Sequence, residues 1–303
     1  MTKNLLGIRD LSQKDIESLM KLSADIKKRP SKYGKSLAGK TLGLIFEKPS
    51  TRTRISFQVA MAQMGGEAHY LGPQDMKLGS REALHDEARV LSRYWNGVVL
   101  RTFEHKTIEG FANYSRVPVI NGLSDLAHPC QALADLFTVR EKLGSKKPVV
   151  AYIGDGNNVL NSLLYVFAKT GGHLHFACPK KYRPSVEILS EVYDAAKKSK
   201  ASIQEKNSPE EAVYDADVVY TDVWVSMGEE DLRDAKLKEF SGFQLNRDLL
   251  KKAKQKPYIL HCLPAHRGEE ITDDVMEDVK SLVFDQAENR LHVEKAVLLW
   301  LLK

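Results

Sequence analysis

Cysteine is scarce in this 303-residue chain: Cys130, Cys178 and Cys262 are odd in number and widely spaced. Such a set excludes a disulfide scaffold and points to a reducing, cytoplasmic setting. No apolar stretch reaches the roughly 18 residues that a membrane span needs. The opening Met1-Thr2-Lys3-Asn4-Leu5-Leu6 lacks a secretory apolar core and cleavage site, so no membrane partner is expected. Charge of one sign is never massed: the net charge is +5, and lysines fall in scattered pairs such as Lys27-Lys28 and Lys251-Lys252. Scattered pairs fit a solvated surface and argue against nucleic acid as a partner. Repeats and low-complexity tracts are also missing. What is present, 43% hydrophobic and 28% charged residues, is an ordinary globular composition of a length that suggests two domains.

Apolar runs and helical patterns alternate along the chain. Ser12 opens the first helix, with Asp15 three residues on as a variant capping box. Strand-like runs lie at 41–46, 97–102 and 117–123, then at 149–153, 173–177, 217–221 and 258–263, with a short one at 282–284. Helical patterns between them include 129–143, 158–170 (closed by Gly171-Gly172), 184–198 and 288–303. Residues 224–246 read as a long charged loop with a short helix, a type of segment that often forms a lid or binding element. This order predicts an α/β fold of two domains, each a mostly parallel sheet flanked by helices. The seam is expected at Gly144-Ser145-Lys146-Lys147-Pro148, dividing 1–144 from 145–287. The apolar end Ala296-Val297-Leu298-Leu299-Trp300-Leu301-Leu302 is expected to dock back on the first domain, and helices near 129–143 and 288–303 to join the two domains around a cleft.

Three segments carry chemistry. Ser50-Thr51-Arg52-Thr53-Arg54 lies where a strand hands over to a helix, so unpaired backbone N–H groups, the helix dipole, hydroxyls and guanidiniums gather at one point. That combination suits a doubly charged anion, most simply a phosphate. His128-Pro129-Cys130-Gln131 projects from a strand end into a helix start, where open α/β sheets bind ligands. His261-Cys262-Leu263-Pro264 ends another strand; His261 and Cys262 must face opposite ways, and either one could meet the cleft. His261, Cys262 and His266 match no common zinc spacing, and no metal is expected.

Together these segments resemble the carbamoyltransferase family. Ser50–Arg54 and His128–Gln131 are similar to the carbamoyl phosphate motifs shared across it, and Asp222-Val223-Trp224-Val225-Ser226-Met227-Gly228 with His261–Pro264 resembles its ornithine branch. The motifs stand in family order over nearly the whole chain. The resemblance implies that Ser50, Thr51, Arg52, Thr53 and Arg54 hold the phosphate. Arg101, His128 and Thr53 would bind the carbonyl oxygen, and Gln131 the carbamoyl NH2. Pro129, Cys130 and Arg290 belong to the same carbamoyl phosphate set. On the acceptor side it implies Asn158, Asp222 for the α-ammonium, Ser226 and Met227 for the carboxylate, and Cys262 and Leu263 beside the δ-amine of L-ornithine. Cys262, as a thiolate with its pKa lowered by cationic neighbours, is one candidate proton acceptor; the departing phosphate is the other. The family further implies a homotrimer or a higher assembly of trimers, arginine biosynthesis, and no cofactor. Lys77 stands where the ornithine branch usually has glutamine, in a loop that reaches a neighbouring subunit's site in the family. An ammonium there can contact phosphate or be a solvated loop lysine.

Other readings meet obstacles in the sequence. A dinucleotide-dependent oxidoreductase would use Gly154-Asp155-Gly156-Asn157-Asn158, but Val159 occupies the third glycine position. A non-enzymatic scaffold would not need Arg101, His128, Asp222 and Cys262 together. A carbamoyltransferase for another amine, such as putrescine, lacks a use for a carboxylate-binding Ser226-Met227-Gly228.

Overall fold

The computed structural model describes residues 3–144 and 147–303; Ser145 and Lys146 of the sequence seam lie outside the described residues. The chain packs as two units, Met1–Leu133 with Asn289–Lys303, and Ala134–Glu288.

In the first unit β1 (Thr41–Phe46), β2 (Glu67–Leu71), β3 (Gly97–Arg101) and β4 (Val119–Leu123) pair in parallel in the order β2-β1-β3-β4. Helices α1 (Gln13–Lys28), α2 (Thr51–Gln63), α3 (Leu84–Leu91) and α4 (His105–Tyr114) belong to it. Strand β3 is buried throughout and β1 nearly so, as a parallel sheet covered on both faces requires. Both halves of the Ser12–Asp15 capping box form at the start of α1.

The second unit holds β5 (Val149–Ile153), β6 (His173–Ala177), β7 (Ser202–Glu205), β8 (Val218–Thr221) and β9 (Tyr258–His261), all parallel, in the order β7-β6-β5-β8-β9. Its helices are α6 (Asn158–Thr170), α7 (Val186–Ser199), α8 (Pro209–Val213), α9 (Arg233–Glu239), α10 (Arg247–Leu250) and α11 (Asp273–Met276). Two long helices, α5 (Pro129–Leu143) and α12 (Val283–Leu302), each contribute residues to both units, because the division in packing falls after Leu133 and after Glu288.

In both sheets the strand order reverses at a central strand, between β1 and β3 in one and between β5 and β8 in the other. Ligands of open α/β sheets bind at the carboxyl ends of strands at such points. The loops there begin at Glu47, at Thr102, at Gly154 and at Asp222.

One sequence expectation is corrected. Residues 282–284 are not a strand: Ser281 makes an isolated bridge to Ile259, and α12 begins at Val283. A three-residue apolar run cannot separate strand from helix, and Phe284 is exposed on the first turn. The sequence reading also missed β2 and β7, two edge strands that are half-exposed and carry polar residues instead of an apolar run.

Candidate active site

The first unit builds a cationic cradle at the carboxyl ends of β1 and β3. Ser50 is the N-cap of α2, and its hydroxyl accepts the Thr53 N–H at 3.2 Å. Thr51 and Arg52 are exposed on that first turn, whereas Thr53 is buried. Arg101 ends β3 and is 8% exposed. His128 immediately precedes α5, where its carbonyl accepts the Ala132 N–H at 3.2 Å; Pro129 occupies the first helical position.

Arg290, on α12, ties these segments together. Its Nη1 donates to Gln131 Oε1 at 2.8 Å and its Nη2 to Thr53 Oγ1 at 3.1 Å. Glu294, one turn on and fully buried, accepts from Nε at 3.1 Å and Nη2 at 2.8 Å. Burial pushes the Glu294 carboxyl up, opposed by Arg290 and by a hydrogen bond from Ser56. Burial first, and then the charges of Arg290 and Arg101, hold His128 well below the usual histidine range, so it is neutral at pH 7. A neutral imidazole within the influence of two guanidiniums can donate a hydrogen bond without adding a third charge.

Not every carbamoyl phosphate candidate joins this group by its side chain. Arg54 stacks on the Tyr70 ring at 3.9 Å. The Cys130 side chain is fully buried against the Asn121 carbonyl at 3.9 Å, so only its backbone can face a ligand. Lys77 is exposed on a separate loop, which Asp75 closes through the Gly72 N–H at 2.7 Å and Glu87 anchors through the Gly79 N–H at 2.8 Å.

The second unit gathers the acceptor candidates at the ends of β5, β8 and β9. The Asp222 Oδ2 accepts from Asn157 Nδ2 at 2.8 Å, and Oδ1 accepts from Val223 N at 2.8 Å and from the Cys262 thiol at 2.9 Å. Cys262 therefore turns toward Asp222. His261 is buried; its Nδ1 accepts the Leu263 N–H at 2.9 Å, so Nε2 carries the proton donated to Glu270 at 3.0 Å. Leu263 holds a left-handed φ of 60°, followed by a cis peptide to Pro264.

The expected low pKa of Cys262 is corrected. Burial, and then the Asp222 carboxylate, push the thiol well above its ordinary value, because its neighbours are acidic. The sulfur is a protonated donor here.

Asn158 opens α6 and is half-buried, but Asn157 is the residue that meets Asp222. Asn157 also caps α6, its Oδ1 accepting the Val159 and Leu160 N–H groups at 2.9 and 3.2 Å. Gly156 donates its N–H to the Tyr182 carbonyl at 2.8 Å, and a Cβ there would lie 2.4 Å from that oxygen. The glycine of this turn thus serves packing, not the approach of a pyrophosphate. Ser226 is half-buried and Met227 exposed in the loop after β8. Ligand atoms of Asp222, His261 and Cys262 lie within 4.8 Å of one another, as do those of His266, Glu269 and Glu270. The hydrogen bonds given above already engage Asp222, His261 and Cys262 with protein groups.

Several groups escaped the sequence reading. Behind Cys262, Tyr220 donates to Asp135 at 3.2 Å, Gln286 donates to the same carboxylate at 2.6 Å, and Gln286 accepts the His261 N–H at 2.9 Å. Beside the 226–228 loop, buried Lys236 bridges Asp155 at 2.7 Å and Glu229 at 2.6 Å. Only the Arg290–Glu294 pair had a readable signal, its i,i+4 spacing on a helix.

Comparison with known proteins also divides the chain in two. Residues 3–141 match the family described as "Aspartate/ornithine carbamoyltransferase, carbamoyl-P binding domain", and residues 146–301 match "Aspartate/ornithine carbamoyltransferase, Asp/Orn binding domain". The chain is 50% identical over 300 residues to a protein of Methanopyrus kandleri named ornithine carbamoyltransferase, covering 98% of this chain and 96% of that one. It is 50% identical over 303 residues to the ornithine carbamoyltransferase of Archaeoglobus fulgidus, covering 99% and 97%. The solved ornithine carbamoyltransferase of Pyrococcus furiosus superposes with a TM-score of 0.94 at 48% identity, over 98% of this chain and 96% of that one. The anabolic ornithine carbamoyltransferase of Campylobacter jejuni gives 0.95 at 42% identity, over 99% of each.

Proposed function

This chain belongs to the aspartate/ornithine carbamoyltransferase family, and we propose that it transfers the carbamoyl group of carbamoyl phosphate to the δ-amine of L-ornithine, giving L-citrulline and phosphate. The observation that carries this reading is the convergence of Arg290 on Thr53 and Gln131, beside a His128 that burial first, and then Arg290 and Arg101, keep neutral.

The phosphate sits at the N-terminus of α2, on Ser50, Thr51, Arg52 and Thr53, where helix dipole and guanidinium act together. Arg101, His128 and Thr53 face the carbonyl oxygen, and Gln131 the carbamoyl NH2. Attack on the carbonyl carbon turns that oxygen into an oxyanion, so donors already fixed there stabilise the transition state more than the ground state. Asp222 binds the α-ammonium of L-ornithine, Ser226 and Met227 its carboxylate with Asn158 nearby, and Cys262 and the Leu263 backbone border the δ-amine. That amine, with a solution pKa of about 10.4 by analogy with lysine, must lose a proton before it attacks. That first proton goes to solvent; the second passes from the attacking nitrogen to the departing phosphate as the new N–C bond forms and the C–O bond to phosphate breaks, while the Cys262 thiol keeps its own proton. A use for both Asp222 and Ser226 favours an α-amino acid over putrescine.

Residues 1–144 with 288–303 form the carbamoyl phosphate domain and 145–287 the ornithine domain. The protein acts as a cytoplasmic homotrimer in arginine biosynthesis, with Lys77 reaching the phosphate of a neighbouring subunit. A crystal soaked with a bisubstrate analogue, a phosphonate joined to an ornithine-like arm, tests the assignment. The phosphonate is expected on Ser50–Thr53 and Arg101; density for it elsewhere contradicts the reading.

A further inference from the structure

Resting on the acceptor assignment above, we propose that the Glu229 carboxylate holds the place of the acceptor's own α-carboxylate on the loop after β8, and that Lys236 keeps it when the acceptor arrives. The pair thereby sets the affinity for L-ornithine.

One oxygen makes both contacts. Glu229 Oε2 accepts the Ser226 N–H at 3.2 Å and receives the Lys236 ammonium at 2.6 Å. The backbone N–H of a residue assigned to the incoming carboxylate is therefore already occupied by a carboxylate of the protein. The neighbouring Gly228 N–H is occupied in the same manner, by both oxygens of Glu230 at 3.0 and 3.1 Å. An amino-acid substrate must exchange with a group of its own charge and shape.

Lys236 makes that exchange feasible. It is 1% exposed, and its other partner is the buried Asp155 at 2.7 Å. Burial lowers the affinity of the lysine for its proton, but the bonds to Asp155 and Glu229 more than offset this, and the ammonium stays charged. A Glu229 displaced from Ser226 thus retains a buried cation, while its side chain, 39% exposed, has room to move aside. Without Lys236, Asp155 and Glu229 would repel each other beside Asp222, and Glu229 would have Ser226 as its remaining partner in this group.

The two residues should act in opposite directions, which a merely structural role would not produce. Glu229→Gln keeps the shape but weakens the competitor from an ionic to a neutral acceptor, and is expected to lower KM for L-ornithine about three- to ten-fold. Lys236→Met is expected to raise it about ten-fold or more, and Lys236→Arg to restore much of the loss. KM for carbamoyl phosphate, measured in the same full-length proteins, is the control. A KM for L-ornithine that rises or stays level in Glu229→Gln overturns the proposal; so does an equal change in both KM values. If Lys236→Met does not fold, the half-buried Glu229→Gln decides alone. Absence of citrulline from the unaltered protein would instead refute the function, and this proposal with it.

Discussion

The Cys262 thiol donates to Asp222 Oδ1 at 2.9 Å, which makes it a hydrogen-bond donor to a carboxylate and not a thiolate among cations. Burial and that carboxylate raise its pKa together. Alkylation of Cys262 by iodoacetamide, followed by mass spectrometry, should therefore keep accelerating beyond pH 9, the usual range of a thiol. A rate that levels off below pH 8 would restore Cys262 as the proton acceptor.

His128 is neutral for the same reason that it is useful. Its folded pKa lies well below 6.5, so below that pH the unfolded chain binds a proton that the folded chain refuses. This group's contribution to stability is complete above pH 6.5 and is lost as pH falls below it. His128→Gln should flatten that part of the stability-against-pH curve in urea titrations. Removing an oxyanion donor should also lower kcat by about 10²-fold or more. A kcat within a few-fold of the unaltered protein would exclude His128 from the reaction.

Arg290 and Glu294 form a buried pair in which each needs the other. Arg290→Met leaves an uncompensated buried carboxylate and should cost about 3–5 kcal/mol of stability. Adding Glu294→Gln should recover a large part of that loss but none of the affinity for carbamoyl phosphate. Independent, additive losses in the double variant would show that the two side chains are not coupled.

Asn157 has two separable tasks, capping α6 and holding Asp222. Asn157→Ser keeps a capping oxygen and should stay within about 0.5 kcal/mol of the parent, whereas Asn157→Ala should lose about 1 kcal/mol. Both should raise KM for L-ornithine, because neither can donate to Asp222 as the amide does. If only the alanine variant changes KM, the effect belongs to the helix cap.

The central strands are legible in the sequence because parallel strands buried on both faces are continuous apolar runs, as in Thr41–Phe46 and Val149–Ile153. The edge strands Glu67–Leu71 and Ser202–Glu205 are not, since half-exposed polar residues give no such run. Ser50 announces α2 because a hydroxyl before a helix is a local signal. The charge state of Cys262 could not be read, because it depends on Asp222 and Asp135, both remote in sequence. Lys236 lies in a stretch dense with charge, and nothing local distinguishes the one lysine that is buried from those that are solvated.

The central claim is that donors around Thr53, Arg101, His128 and Arg290 hold carbamoyl phosphate so that an amine can displace its phosphate. Following 13C-labelled carbamoyl phosphate by NMR with the purified protein, and with L-ornithine or putrescine as acceptor, tests it most directly. The account predicts labelled citrulline and inorganic phosphate in equal amounts, with kcat/KM higher for L-ornithine. Loss of label only at the uncatalysed rate, or a preference for putrescine, would contradict it.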